Sequence, residues 1–133
     1  MSQKVFDALT LMWDAVSTTV ANTWTIAASP KLSTAVDLKA ADIDEESPGT
    51  IQLDWQGITS AGAATIVIAV QDSADNVTFA TISTSEAYAK TAVDLLDWRF
   101  PLPTKNLRRY VRLAITIAVA DISAGTITAG LVK

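Results

Sequence analysis

Apolar and polar residues alternate with a period of two along much of this chain. The pattern is clearest in "YVRLAITIAV", where Val111, Leu113, Ile115, Ile117 and Val119 fall on one phase and Arg112, Ala114, Thr116 and Ala118 on the other. Successive side chains of an extended strand point to opposite faces, so this run predicts one long, half-buried strand. "TIQLDWQ" alternates in the same way, with Ile51, Leu53 and Trp55 facing one side and Gln52, Asp54 and Gln56 the other. Leu96, Trp98 and Phe100 repeat the pattern. β-Branched runs predict further strands over 64–70 and 126–132, with shorter segments around Trp24–Ala28 and Thr34–Leu38.

Turn-forming clusters separate these runs: "SPGT" at 47–50, "SAGA" at 60–63, "ADN" at 74–76, "PLP" at 101–103 and "SAG" at 123–125. Helical periodicity is confined to two short candidates, Phe6–Val16, where Asp7 suits a cap, and the alanine-rich Ser85–Ala92. Seven or eight short strands, at most one or two short helices and no internal repeat predict an all-β fold, an antiparallel β-sandwich. The 133 residues suit one domain spanning 1–133, with residues 1–23 as an N-terminal arm or extension.

Composition narrows what such a domain does. Half the residues are hydrophobic and 18% are charged, which excludes a disordered chain, and no apolar run approaches the roughly 18 residues of a membrane span. The expectation is a soluble globular domain, and Asp7 and Asp14 interrupt any apolar core a signal peptide would need. The chain has no cysteine and no histidine, so it lacks a thiolate nucleophile, a disulfide, and both the commonest metal ligand and the commonest general base. Serine and threonine are abundant but have no histidine to activate them, and no nucleophile elbow or phosphate loop occurs. The sequence predicts no enzyme and no cofactor. A net charge of -4 opposes attraction to phosphate backbones, so no nucleic-acid partner is expected, and no membrane.

Four features invite a closer look. "QDSADNVTFATI" places Asp72, Asp75 and Asn76 between two apolar runs. A calcium loop requires oxygen donors at alternate positions and a glycine at the sixth; counted from Asp72, Ala74 and Val77 occupy the third and sixth positions, and counting from Ser73 fails at Val77. A tight hairpin asks less, because Asp and Asn tolerate positive φ and bond their own backbone. "ADIDEESPG" gathers Asp42, Asp44, Glu45 and Glu46 into what reads as a solvated loop, or a divalent-ion site without identifiable ligand geometry. A hydrolase using Asp42 or Glu46 would require a concave acidic cleft. "KNLRRYVR" concentrates Lys105, Arg108, Arg109 and Arg112, either pairing with nearby carboxylates or presenting guanidinium forks to a partner protein. Of four tryptophans, Trp55 and Trp98 sit on apolar strand phases. Trp13 and Trp24 lie with Phe6, Leu9, Leu11 and Met12 in the irregular first third, either as ordinary packing or as an arm docking on another subunit.

Taken in order, "LTLMWDAVSTT", "LSTAVDLKAADI", "TIVIAVQDSADNVTFATI" and "RRYVRLAITIAVADISAGTITAGLV" resemble the small jelly-roll cement, or decoration, proteins of tailed bacteriophage capsids. The most specific pieces are the "QDSADNVTF" hairpin and the final strand pair. The resemblance implies a jelly-roll-like sandwich, made in the host cytoplasm, that sits on the outer surface of the virion head. There it would bridge neighbouring major capsid protein subunits as a homo-oligomer. A dimer on a two-fold axis and a trimer on a three-fold both fit, with the dimer preferred. The expected capsid or subunit contacts are Phe6, Leu9, Met12, Trp13 and Trp24 on the arm, and Arg108, Arg109 and Arg112 on the basic edge. The alternative is a carbohydrate- or receptor-binding sandwich of a tail or fibre, in which exposed tryptophans stack on sugars.

Overall fold

The computed structural model describes residues 10–44 and 46–132. Among these residues ten strands run in chain order: β1 Leu11–Ser17, β2 Lys31–Leu32, β3 Val36–Asp37, β4 Thr50–Thr59, β5 Thr65–Ser73, β6 Ala80–Thr84, β7 Tyr88–Ala89, β8 Trp98–Pro101, β9 Tyr110–Ala118 and β10 Ala124–Val132. Among the described residues, helix is limited to single 3-10 turns at Val20–Asn22 and Val93–Leu96.

The strands form two antiparallel sheets. One has the order β1-β10-β4-β8; the other has β2-β9-β5-β6, with β3 also on β9 and β7 also on β5. Counting β2 with β3 and β6 with β7 as interrupted single strands leaves four against four. The chain passes from one sheet to the other at every connection except the β5–β6 hairpin. First and last strands are neighbours, and this order is that of a jelly roll.

Register follows from the apolar pattern. On β4 and β10, Ile51 lies opposite Leu131, Leu53 opposite Ala129 and Trp55 opposite Ile127. On β5 and β9, Ile66 faces Ile117, Ile68 faces Ile115 and Val70 faces Leu113. All of these side chains are buried in the cluster between the sheets. Each buried aliphatic contributes about 1.5–3 kcal/mol, so a one-residue slip, which would turn every one of them to solvent, is strongly disfavoured.

One end of the core is aromatic. Trp24 packs between Trp13 and Trp55, with ring centroids 5.4 Å and 5.1 Å away. The Trp55 indole N–H donates to the Thr18 hydroxyl at 3.0 Å. β10 passes so close here that a Cβ on Gly125, whose φ is +140°, would lie 2.5 Å from Thr18 Oγ1 and 3.0 Å from Trp55 Nε1. Only glycine fits that position.

Several expectations are corrected. The helix over Phe6–Val16 is not formed where it is described, because Leu11–Ser17 is a strand paired to β10; the run "LMWDAVS" places Met12 and Trp13 in the core and is bent by two register shifts and a positive φ of 47° at Ala15. Residues 11–17 are therefore part of a sheet, not a free arm. Ser85–Ala92 holds the two-residue β7 instead of a helix, since the backbone there completes the edge of β5. Trp24–Ala28 is not a strand; Trp24 is fully buried while Ile26 is 44% exposed, and its backbone N–H is taken by the Asp121 carboxylate. Val119 does not continue the buried phase of β9, because the chain turns there with φ 74° and the side chain is 69% exposed. Asp54, on the polar phase of β4, is nevertheless buried, with Gln56 Nε2 donating to Oδ2 at 2.8 Å.

Candidate interaction surface

Two loops meet at one end of the sandwich. The β3–β4 connection and the β8–β9 connection form a depression of about 490 Å³, with Leu38, Ile43, Pro48 and Leu107 giving it apolar walls. Lys39, Asp42, Asp44, Arg108 and Arg109 add charge of both signs, so it is not the concave acidic cleft a carboxylate-based hydrolase would require. Asp42 and Asn106 hold positive φ values of 55° and 63°, conformations that Asp and Asn adopt more readily than other non-glycine residues.

The arginines of "KNLRRYVR" do not form one bare patch. Arg108 wraps the carboxylate of Asp72: its backbone N–H and Nε each donate at 3.0 Å and Nη2 donates at 2.7 Å, while Nη2 also reaches the Asp72 carbonyl at 2.8 Å. The Asp72 side chain is 3% exposed, so this pair is buried on the acidic side. Arg109 turns the other way and forms a two-pronged pair with Asp37 at 2.8 and 2.9 Å. That guanidinium, helped by the Ala40 and Lys39 backbone N–H groups, pulls the Asp37 carboxyl down to about 2. Arg112 donates to Gln71 Oε1 at 2.8 Å and lies 3.7 Å over the ring of Phe79. Among the described residues it has no carboxylate partner. Pairing within the chain thus accounts for Arg108 and Arg109, whose side chains stay 39% and 44% exposed at the loop end.

The aromatic part of the expected contact set is placed differently. Met12, Trp13 and Trp24 are 3%, 6% and 0% exposed and pack inside this chain's own core, because β1 is held in register with β10. They present no surface to a second subunit. Phe6 and Leu9 lie outside the described residues.

The Asp75 loop is a turn, as its composition predicts, although a six-residue connection between β5 and β6 and not a tight one. Asp75 Oδ1 accepts from the backbone N–H groups of Val77 and Thr78, both at 2.9 Å, and from the Ser73 hydroxyl. The Thr78 and Val77 N–H groups, followed by Ser73, hold its carboxyl down at about 2. Asn76 supplies the positive φ, at 62°. In the acidic loop, Asp44 Oδ1 caps the Glu46 N–H at 2.9 Å, a local turn of the same kind. The described residues bring no three carboxylates into a group able to hold a metal ion.

Sequence reasoning weighed Asp72 only as a loop ligand and missed its pairing with Arg108, 36 residues away. One signal was available: Asp72 continues the inward phase of Ile66, Ile68 and Val70, and a carboxylate on an apolar phase requires a buried cation or donor.

No curated protein matches the chain. The profile of the Bbp16 family does, over residues 14–131, from the middle of β1 to the end of β10. With a match spanning nearly the entire sandwich, the chain belongs to the Bbp16 family, a phage-related family.

Proposed function

We propose that this protein is a head cement, or decoration, protein: it binds the exterior of an assembled phage capsid and holds neighbouring major capsid subunits together. The observation that carries this reading is the coincidence, over residues 14–131, of a phage-related family with a jelly-roll sandwich. The loop end supports it. Apolar walls with charges of both signs around them suit a protein contact, in which charge placement sets orientation and apolar burial supplies affinity. The Asp72–Arg108 and Asp37–Arg109 pairs tie those loops to β5 and β3, so little ordering is left to be done on docking.

The mechanism is one of contact, not turnover. A cement protein touching two capsid subunits makes its second contact intramolecularly, so modest individual contacts add to a firm bridge through effective concentration. Bridging opposes the separation of subunits under internal pressure.

The sugar-binding alternative depends on exposed tryptophans, and Trp13, Trp24, Trp55 and Trp98 all belong to the buried core. Quantitative mass spectrometry of purified virions tests the proposal. A cement protein is present in copy numbers comparable to the major capsid protein. Absence, or a handful of copies as for a tail component, overturns it.

A further inference from the structure

The arginines of this chain are Arg99, Arg108, Arg109 and Arg112, and all but the last are closed by its own carboxylates. Arg99 pairs with Asp97, Arg108 with Asp72 and Arg109 with Asp37. Among the described residues no carboxylate faces Arg112, and neither its Nη1 nor its Nη2 has a hydrogen-bond acceptor. Burial draws the Arg112 guanidinium below the ordinary arginine value, whereas the hydrogen bonds that Arg109 donates to Asp37 raise its own. At Arg112 a charge is thus partly withdrawn from water with no counter-ion in its own chain, a cost that a carboxylate from outside would offset.

The group is also held in place. Arg112 leaves β9 on its outward phase, between the buried Val111 and Leu113, and lies 3.7 Å over the ring of Phe79, the residue before β6. Its Nε donates to Gln71 Oε1 at 2.8 Å, and Gln71 Nε2 donates in turn to the Thr81 hydroxyl at 3.3 Å. Gln71 stands opposite Arg112 in the β5–β9 register and opposite Thr81 in the β5–β6 register, so three adjacent strands set the geometry. The Phe79 face and the Gln71 amide fix the guanidinium and leave both Nη groups open, so little side-chain freedom remains to be lost when a partner binds.

We infer that Arg112, seated on Phe79 and oriented by Gln71, receives a carboxylate side chain of the major capsid protein. The surroundings select that chemistry. A planar guanidinium matches a carboxylate through two parallel hydrogen bonds. Arg109, three residues earlier, is committed to Asp37, and Gln71, Thr81 and Tyr110 around the site are uncharged, so one negative charge is matched and a run of phosphates is not. The chain's net charge of -4 opposes a nucleic acid for the same reason. The site also continues the loop end: Arg109 lines the depression there and lies 5.0 Å over the ring of Tyr110, which precedes Arg112 by two residues on the same face of β9. A capsid subunit resting on the loop end meets Arg112 at the margin of that contact. The inference rests on the head-cement reading for the identity of its partner.

Titration of expanded heads that lack the protein with purified variants tests the site. Arg112→Gln is expected to weaken binding at least about tenfold and to lessen its dependence on salt, with the melting profile of the unmodified protein retained. Arg112→Lys keeps the charge without the fork and recovers only part of that loss. Phe79→Leu keeps the arginine, removes the ring that holds it, and also weakens binding. Arg99→Gln, the same loss of charge on β8 in the other sheet, is the control and leaves binding unchanged. Arg112→Lys decides the matter if Arg112→Gln fails to fold. Unmodified protein that binds, with Arg112→Gln or Arg112→Lys binding as tightly as the control, would overturn the inference and leave the cement reading standing. Unmodified protein that does not bind at all would overturn both.

Discussion

Asp72, near the end of β5, and Asp75, in the loop that follows, stand three positions apart and do unrelated work. Asp75 is exposed, and its carboxylate closes a turn by accepting the Val77 and Thr78 N–H groups, which is why its carboxyl is held at about 2 against an ordinary 3.8. A carboxyl lowered by folding stabilises the fold fully above its unfolded value. The contribution therefore stands above about pH 4 and is lost as the pH falls towards 2. Carboxyl NMR titration is expected to place the Asp75 midpoint near 2, and a midpoint near 3.8 would show that the turn is not closed by that oxygen. Asp72 is buried, and its carboxylate accepts three bonds from Arg108. Asp72→Ala leaves the Arg108 backbone N–H without its acceptor, while the partly exposed guanidinium regains water, so the loss is expected to be about 2–3 kcal/mol in urea unfolding. A change below about 0.5 kcal/mol would contradict the role assigned to the pair. The turn was legible in the sequence because its partners are two and three residues away. The ion pair was not, because β5 and β9 must first be in register before Arg108 stands beside Asp72.

Among the elements, the long alternating strands were the legible ones. Ile51, Leu53 and Trp55 on β4, and Val111 to Ile117 on β9, are buried on the phase their spacing predicts. β1 was not legible. "LMWDAVS" lacks strict alternation because the strand is twice irregular, and irregular strands read as short helix or coil. Its place next to β10 depends on Trp13 meeting Trp24 and Trp55 at the end of the core, a contact among three distant segments. The distinction between arm and strand has a direct consequence. A chain beginning at Thr18 would keep its sandwich if residues 1–17 were an appendage. Because β1 contributes Met12 and Trp13 to the core and covers the edge of β10, the truncated chain is expected to lose the cooperative melt seen by circular dichroism. A truncated chain that melts near the full-length temperature would contradict this assignment.

At the scale of the whole molecule, the alternating pattern predicted a sandwich, but the strand order that makes it a jelly roll comes from pairings between segments far apart in sequence, which no local pattern reports. The loop-end depression is of the same kind, since its walls come from residues 38–48 and 104–109, brought together only when β3, β4 and β9 are in place. The sequence marked both loops as charged and could not show that they meet. The loop end with Lys39, Asp42 and Arg109 is the face we propose for the capsid. The most direct measurement is binding of the purified protein to expanded heads that lack it. Saturable binding at a fixed ratio to the major capsid protein, together with a higher temperature of head disruption, is the predicted result; heads that take up no protein, or take it up without any gain in stability, would contradict the account.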